Sequence, residues 1–477
     1  MSGKDCEAVW ILLLQRRFFL KDFLIVGAGL YGSVIAHELT HKGCSCIVID
    51  KRGASGGNIR TEMREGIMVH EYGAHIFHTS DEQVWKFVTD LVPMSPFVHS
   101  PVACFKGSFY SLPFNMHTFK ALFGTSEPEE ARARIEKEAL EEKMRIVKER
   151  RSRESSSSAR TSCNDVTDQD PEVDQTCKVS RNTGITEKNI EDIRDRFEED
   201  REIKEFVPAN LEEQALVTVG RTVYETLIKG YTAKQWGCDP RMLSADIIKR
   251  IPIRYTYEED YFNDRYEGLP STEAGGYTGL IDRLLEGVEV RFDTDYLALR
   301  EQRDPDTWYK DPGLGLAKRV IYSGAVDEFF CSCYGPLAYR SLRFEQEELE
   351  TDDFQGHAVV NYTDSESPFT RIIEHKHLTA DYRPSGRPFT GITKEYPKLF
   401  AEGDERFYPV RDNVSMERYN KYMELAAGCP LVAFGGRLGS YKYLDMDKVI
   451  KAALEDAERL RDGGEERNTV KNDSDRV

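Results

Sequence analysis

The sequence predicts an α/β fold in which a Rossmann-like unit is joined by a helical region and an antiparallel, strand-rich region. Three observations lead there. Residues 22–50 read as strand, glycine turn, helix and strand. Residues 129–153, 190–205 and 211–230 are each helix-prone. Residues 250–268 and 345–395 are dense in Tyr, Phe, Thr and Val, which suit a pleated sheet.

The first element is the apolar run Asp22-Phe-Leu-Ile-Val26, followed by Gly27-Ala-Gly-Leu-Tyr-Gly32. A helix from Ser33 to Lys42 and a second strand, Cys46 to Asp50, complete a βαβ unit. In G-x-G-x-x-G, Gly27 permits the turn, Gly29 lets backbone approach a pyrophosphate, and Gly32 lets helix pack on strand. The helix N-terminus then offers N–H donors and positive dipole to that anion. Asp50 lies 23 positions after Gly27, where an acid can take a ribose hydroxyl. Packing alone would account for an isolated triplet, but strand, helix and acid together point to a dinucleotide. Lys51-Arg52-Gly-Ala-Ser-Gly56-Gly57-Asn58 follows directly. A second glycine pair beside two cations, with Lys51, Gly57 and Asn58 near the phosphates, suits FAD better than NAD.

His70-Glu-Tyr-Gly-Ala-His75-Ile-Phe-His78 suggests a metal at first sight. No carboxylate falls at ligand spacing, and alternation along a strand would separate His75 from His78, so no metal site is expected. A loop lining a planar cofactor fits the same residues.

Composition narrows the class. Hydrophobic residues make up 40% of 477, enough for a sizeable core, and length alone suggests two to four domains. The net charge of −18 argues against a nucleic-acid partner, although clustered arginines can still invert the field inside one cleft. The C-x-C pairs Cys44/Cys46 and Cys331/Cys333 read as buried strand positions rather than disulfide or zinc frameworks, implying a reduced, cytoplasmic protein. The apolar run Ala8 to Leu14 is too short to span a bilayer, and its flanking charges reverse those of a secretory signal. No membrane span is expected. Between Ala131 and Glu205 the only aromatic is Phe197, so this acidic, low-complexity stretch is expected to bury little and to form a solvated insertion. A helix from about Asp447 to Asp462 and a polar tail close the chain.

Seven phrases give a specific resemblance: Tyr72-Gly-Ala-His-Ile-Phe-His-Thr79, Ser111-Leu-Pro-Phe-Asn-Met116, Ile228-Lys-Gly-Tyr-Thr-Ala-Lys-Gln-Trp-Gly237, Ile247-Ile-Lys-Arg-Ile-Pro252, Thr370-Arg-Ile-Ile-Glu-His-Lys-His377, Phe407-Tyr-Pro-Val410, and Phe434-Gly-Gly-Arg-Leu438 with Tyr441-Lys-Tyr443. In order and content, across residues 22–460 apart from the insertion, the chain resembles the bacterial-type UDP-galactopyranose mutases. The resemblance implies an isomerase that interconverts UDP-galactopyranose and UDP-galactofuranose through a covalent adduct between the sugar and N5 of reduced FAD. NAD(P)H or another external reductant would reduce the flavin. By the same resemblance, Arg250 and Arg371 grip the substrate diphosphate, assisted by the hydroxyls of Tyr261, Tyr408 and Tyr443. Tyr231 stacks on uracil, with Thr232 beside it, and Trp236 lies near the sugar in a phrase like the family's mobile loop. His75 and His78 face the flavin, the latter adjusting to its redox state, and Arg437 with Asp445 form a second cofactor-contacting segment.

The implied architecture is a discontinuous FAD-binding Rossmann domain (22–90, 275–330 and 425–462) and a helical substrate domain (110–250) carrying the insertion at about 131–205. An antiparallel sheet domain (91–109, 251–274 and 331–424) completes it, flanked by an extension (1–21) and a tail (463–477). A homodimer is compatible with it. His99 stands where family members often carry Asn, and Leu227 replaces an aromatic seen in some, which bears on sugar preference. The rival readings are an FAD-dependent amine oxidase or desaturase, since fold does not fix function, and an inactive flavoprotein that only binds UDP-sugars.

Overall fold

The apolar run Phe23-Leu-Ile-Val26 lacks polar alternation, as suits a strand covered on both faces. A computed structural model describes residues 20–160, 201–248, 253–303, 310–382, 386 and 388–461. The apolar run at 8–14, most of the low-complexity stretch, Arg250 and the tail lie outside them. Within them, a five-stranded parallel sheet runs in the order Glu289–Arg291, Cys46–Ile49, Lys21–Val26, Ala317–Tyr322 and Val432–Phe434. Its strands come from three separate stretches of chain, which makes the Rossmann unit discontinuous. Alternate residues serve opposite faces. Ile25, Val48 and Ile321 pack with Val34, Ile35 and Leu39 of the helix Leu30–His41, and with Ile281 and Ile450 of two further helices. Leu24, Ile47 and Val320 pack instead with Tyr296 and Phe329. All are nearly inaccessible, so truncating any of these leucines or isoleucines to Ala should cost about 2–5 kcal/mol.

The described residues form two compact units. The larger lies within Met1–His99, Phe262–Val359 and Arg371–Val477. Besides the parallel sheet it contains a long antiparallel pair, Tyr339–Leu349 against Thr390–Leu399, with Arg371–Glu374 on the far side of the latter. A smaller antiparallel sheet joins Phe77–Thr79, Tyr266–Pro270 and Met94–Pro96.

The second unit, within Ser100–Tyr261 and Val360–Thr370, is mainly helical. Its helix Met116–Phe123 starts at a reciprocal cap, Asn115 with Thr118. The helix Leu211–Val223 passes through a π-turn, Tyr224–Ile228, into the helix Lys229–Trp236. Residues 360–362 run parallel to Val102–Phe105.

Two expectations change here. The helix Pro128–Arg160 begins as core rather than as a solvated insertion: Ala131, Ile135, Ile146 and Val147 are buried. Glu138 accepts from the Thr222 N–H at 2.9 Å and Glu142 takes both arms of Arg221 at 2.6 and 2.7 Å. Gly220 breaks the facing helix at φ +76°, and a Cβ there would lie 2.6 Å from Glu138 Cβ. The helix itself is expected from residues 129–153; its charged composition hides the buried face, whose apolar stripe is narrow and whose charges are paired. Cys331 and Cys333, expected in a buried strand, are exposed in a tight turn where Cys331 and Ser332 have positive φ. Cys46 does lie buried in a strand, whereas Cys44 precedes it.

Candidate active site

The glycine triplet shapes a cleft in the first unit. Gly27 has φ +109°, and a Cβ on Gly32 would lie 2.0 Å from the Gly27 carbonyl oxygen. Gly29 faces Gly57 so closely that a Cβ on Gly57, itself at φ +54°, would come within 3.0 Å of the Gly29 Cα. Both predicted glycine loops therefore meet at one place. The helix Leu30–His41 opens there with no side chain capping its N-terminus, leaving its donors for an anion. Asp50 does more than await a ribose: its Oδ2 accepts from the Ala28 N–H at 2.7 Å and its Oδ1 from the Arg52 N–H at 2.8 Å, tying the two loops together. Lys51, Asn58, His75 and Arg437 also line the cleft. Asp445 and His78 are not among its walls, and Asp445 is an exposed residue just before the helix Met446–Arg461.

Sequence reasoning missed other parts of this wall. Arg52 pairs with Glu405 at 2.7 Å and donates to Asn58 at 3.1 Å. Glu405 lies 353 positions away with no motif to announce it. Gly436 adopts φ +70° and packs on Tyr31, which lets the following Arg437 reach the cleft. The set fits a dinucleotide: glycines that a Cβ would close, an uncapped helix start and cations at one mouth.

The same unit gathers positive charge. Arg371 opens its strand with Nε 3.0 Å from Glu395 Oε1; the arginine side chain is 23% exposed, the glutamate 1%. Arg437 donates from Nε to the Leu444 carbonyl at 2.6 Å and lies 4.8 Å from the centre of the Tyr443 ring. Tyr443 and Tyr408 sit 5.7 Å apart, Tyr443 being 55% exposed. Burial pushes the His75 imidazole down to about 4, with Arg437 and Arg371 adding to it. Burial likewise pushes His99 down to about 3, helped by Arg371 and His78. These two histidines are thus neutral at physiological pH, and the local cations are the arginines. His75 makes its Nδ1 contact with the Gly73 carbonyl at 2.8 Å. His78 Nδ1 meets Asp264 Oδ2 at 2.7 Å and its ring stacks on Phe262.

In the second unit, Tyr231, Thr232 and Trp236 share the helix Lys229–Trp236. Trp236, expected on a mobile loop, is the last residue of that helix. Gly230 serves close packing here: a Cβ on it would lie 2.3 Å from the Thr363 carbonyl oxygen. Lys234, unmarked in the sequence, donates to the carbonyls of Tyr362 at 2.8 Å and Phe369 at 3.1 Å, and burial pushes its ammonium down to about 8. Thr363 Oγ1 donates to the Thr226 carbonyl at 2.8 Å, fastening the π-turn as well. Tyr261 is exposed, its carbonyl accepting from Arg254 at 3.2 Å. Arg250 lies outside the described residues.

Comparisons with known proteins bear on the family and the fold. The UDP-galactopyranose mutase family profile matches residues 226–443, and an NAD(P)-binding Rossmann-like domain matches 25–91. A probable UDP-galactopyranose mutase of Klebsiella pneumoniae is 34% identical over 443 residues, spanning 92% of this chain and 94% of that protein. The chain belongs to the UDP-galactopyranose mutase family. It is an isomerase by class, with a flavin as its dinucleotide cofactor. A dTDP-fucopyranose mutase of Escherichia coli is 33% identical over 442 residues, spanning 92% of this chain and 98% of that protein. The fold matches the crystal structure of a reduced UDP-galactopyranose mutase with TM-score 0.60 at 14% identity, covering 95% of this chain and 98% of that one. Among the described residues no helix is long and apolar enough to cross a membrane.

Proposed function

We propose that this protein interconverts UDP-galactopyranose and UDP-galactofuranose with FAD as cofactor. The observation that carries this reading is the neighbourhood of Arg371 and Arg437, both of which act on His75 at the dinucleotide cleft, in a chain of net charge −18. A guanidinium fork matches phosphate oxygens, and two arginines near His75, of which Arg437 lines the cleft, favour a dianion that the acidic chain as a whole would repel. When bound and reduced by NAD(P)H or another external donor, the flavin supplies an electron-rich nucleophile, so that one hard ring contraction divides into easier covalent steps.

The chain's own residues do the rest. Arg371, with Arg250 as its proposed partner, holds the diphosphate, so that the nucleotide stays at high effective concentration while the sugar rearranges. Tyr261, Tyr408 and Tyr443 offer phenolic donors to the same group, and Tyr231 offers a flat face to the base. His75, at the cofactor cleft, and His99 are uncharged and so do not compete for the phosphates. The Rossmann, helical and antiparallel parts drawn from the resemblance remain our proposed division of these tasks.

A second reading has a specific basis. The dTDP-fucopyranose mutase relative is as similar as the Klebsiella protein, at 33% against 34% identity. The two nucleotide sugars differ in base, at the 2′ position of the pentose and at the hexose's sixth carbon, so the choice belongs to contacts outside the diphosphate. Separate incubations with UDP-galactofuranose and dTDP-fucofuranose, each followed by chromatography, decide between them. Oxygen consumption with an amine and no sugar turnover would favour the oxidase rival, and tight binding without turnover the inactive one.

Lys234 gives a test of the nucleotide end. Lys234→Met removes both donors that fasten the Tyr231 helix, so KM for the nucleotide sugar should rise about tenfold with little change in kcat. Lys234→Arg, which can still donate twice, should recover most of the loss. Unchanged KM in the Met variant, measured by steady-state kinetics, would remove Tyr231 from the base site.

A further inference from the structure

Asp264, which no motif marks, sits where it decides what His78 presents. Its Oδ2 lies 2.7 Å from His78 Nδ1, and its Oδ1 accepts from Ser80 Oγ at 2.8 Å. Ser80 Oγ in turn accepts the Arg265 N–H at 3.2 Å, so the carboxyl is itself oriented. Burial alone would raise this carboxyl, but the hydrogen bonds from His78 and Ser80 outweigh it and hold the group below the usual carboxylate range. An ionised carboxylate has only lone pairs to offer, so the proton in the 2.7 Å contact belongs to Nδ1.

The ring is also fixed in plane. Phe262 stacks on it with centroids 3.7 Å apart and planes 12° from parallel. The strand Phe77–Thr79 pairs with Tyr266–Pro270, setting His78 opposite Glu267. His99 packs on Phe262 as well, at 5.7 Å, and is kept neutral by burial. With Nδ1 committed to Asp264, the other edge of the imidazole is Nε2, on a side chain 16% exposed.

We propose that Asp264 is a positioning residue that locks His78 as the Nδ1–H tautomer, so that Nε2 offers a lone pair to an N–H or O–H donor of the bound cofactor or sugar. This rests on reading His78 as a residue of the reaction site, which the resemblance implies although His78 is not itself a wall of the dinucleotide cleft. The logic is that of any imidazole whose second nitrogen is fixed by a carboxylate: the partner chooses the tautomer, and the tautomer chooses donor or acceptor at the working edge.

The test uses the full-length holoprotein labelled with nitrogen-15 histidine, the His78 signals being assigned by their loss in His78→Gln. The wild type at alkaline pH should show a protonated Nδ1 and an unprotonated Nε2. In Asp264→Ala the population should move toward Nε2–H, with kcat down about tenfold or more while KM stays within about twofold and flavin content is unchanged. A wild-type His78 in the Nε2–H form, or an Ala variant with unchanged tautomer or unchanged kcat, overturns the proposal. Should Asp264→Ala not fold, Asp264→Asn keeps the shape but adds an N–H donor, and a mixture of tautomers with an intermediate loss of kcat is expected. A single unaltered tautomer with full kcat in that variant overturns the proposal equally. Because the tautomer is read in the resting holoprotein, it judges Asp264 even if neither nucleotide sugar turns over, the outcome that would instead sink the mutase reading.

Discussion

Arg371→Ala should lower kcat/KM by about a thousandfold and also make the protein less stable. The two losses have different causes. Activity falls because a charged, forked donor to the diphosphate is gone, a contact worth about 4 kcal/mol at a partly desolvated site. Stability falls because Glu395, 1% exposed and 3.0 Å from the Arg371 Nε, is left as a buried charge without this partner, at a cost of about 3 kcal/mol. Arg371→Lys keeps a cation near Glu395 but loses the fork, so it should be stable and slow. The double variant Arg371→Ala with Glu395→Gln separates the terms, recovering most of the melting temperature and none of the activity. Near-normal kcat/KM in Arg371→Ala, with flavin retained, would remove this residue from the diphosphate site.

Gly32→Ala should abolish cofactor binding. Its Cβ would lie 2.0 Å from the Gly27 carbonyl oxygen, a backbone atom that cannot swing aside as a side chain could. Helix and turn must separate, which misaims the N–H groups expected to hold the pyrophosphate. The visible flavin absorbance per protein should fall at least about tenfold, and mutase activity with it. Gly43→Ala is the control, since nothing lies within 4 Å of a Cβ there, although its φ of +87° will cost some stability. A Gly32→Ala protein that remains yellow would mean that the cofactor is held elsewhere.

What could be read in the sequence followed from local rules. The strand, glycine turn, helix and acid of residues 22–50 form within 30 residues of chain, so pattern and spacing sufficed. The parallel sheet's three remaining strands, Glu289–Arg291, Ala317–Tyr322 and Val432–Phe434, join from far along the chain, and only the resemblance anticipated a discontinuous domain. The partners that complete the site are likewise distant. Glu405 meets Arg52 across 353 positions, and Asp264 meets His78 across 186. No short-range periodicity encodes such pairs.

The errors have physical sources too. A low count of aromatics concealed the buried face of the helix Pro128–Arg160, because Ala and Ile fill it and paired charges cover the rest. The resemblance puts Trp236 in a phrase like a mobile loop, where Gly230 would permit motion. In the fold it permits contact, bringing the Tyr231 helix against the Thr363 carbonyl. The Cys331/Cys333 spacing matched a strand, but Ser332 between them adopts a left-handed conformation that no strand allows.

The most direct measurement incubates the purified protein with UDP-galactofuranose, once oxidised and once reduced with dithionite under anaerobic conditions, and follows UDP-galactopyranose by chromatography. The account predicts conversion in the reduced sample and essentially none in the oxidised one. A fully flavinylated, fully reduced protein that forms no UDP-galactopyranose, or equal conversion in both redox states, would contradict it.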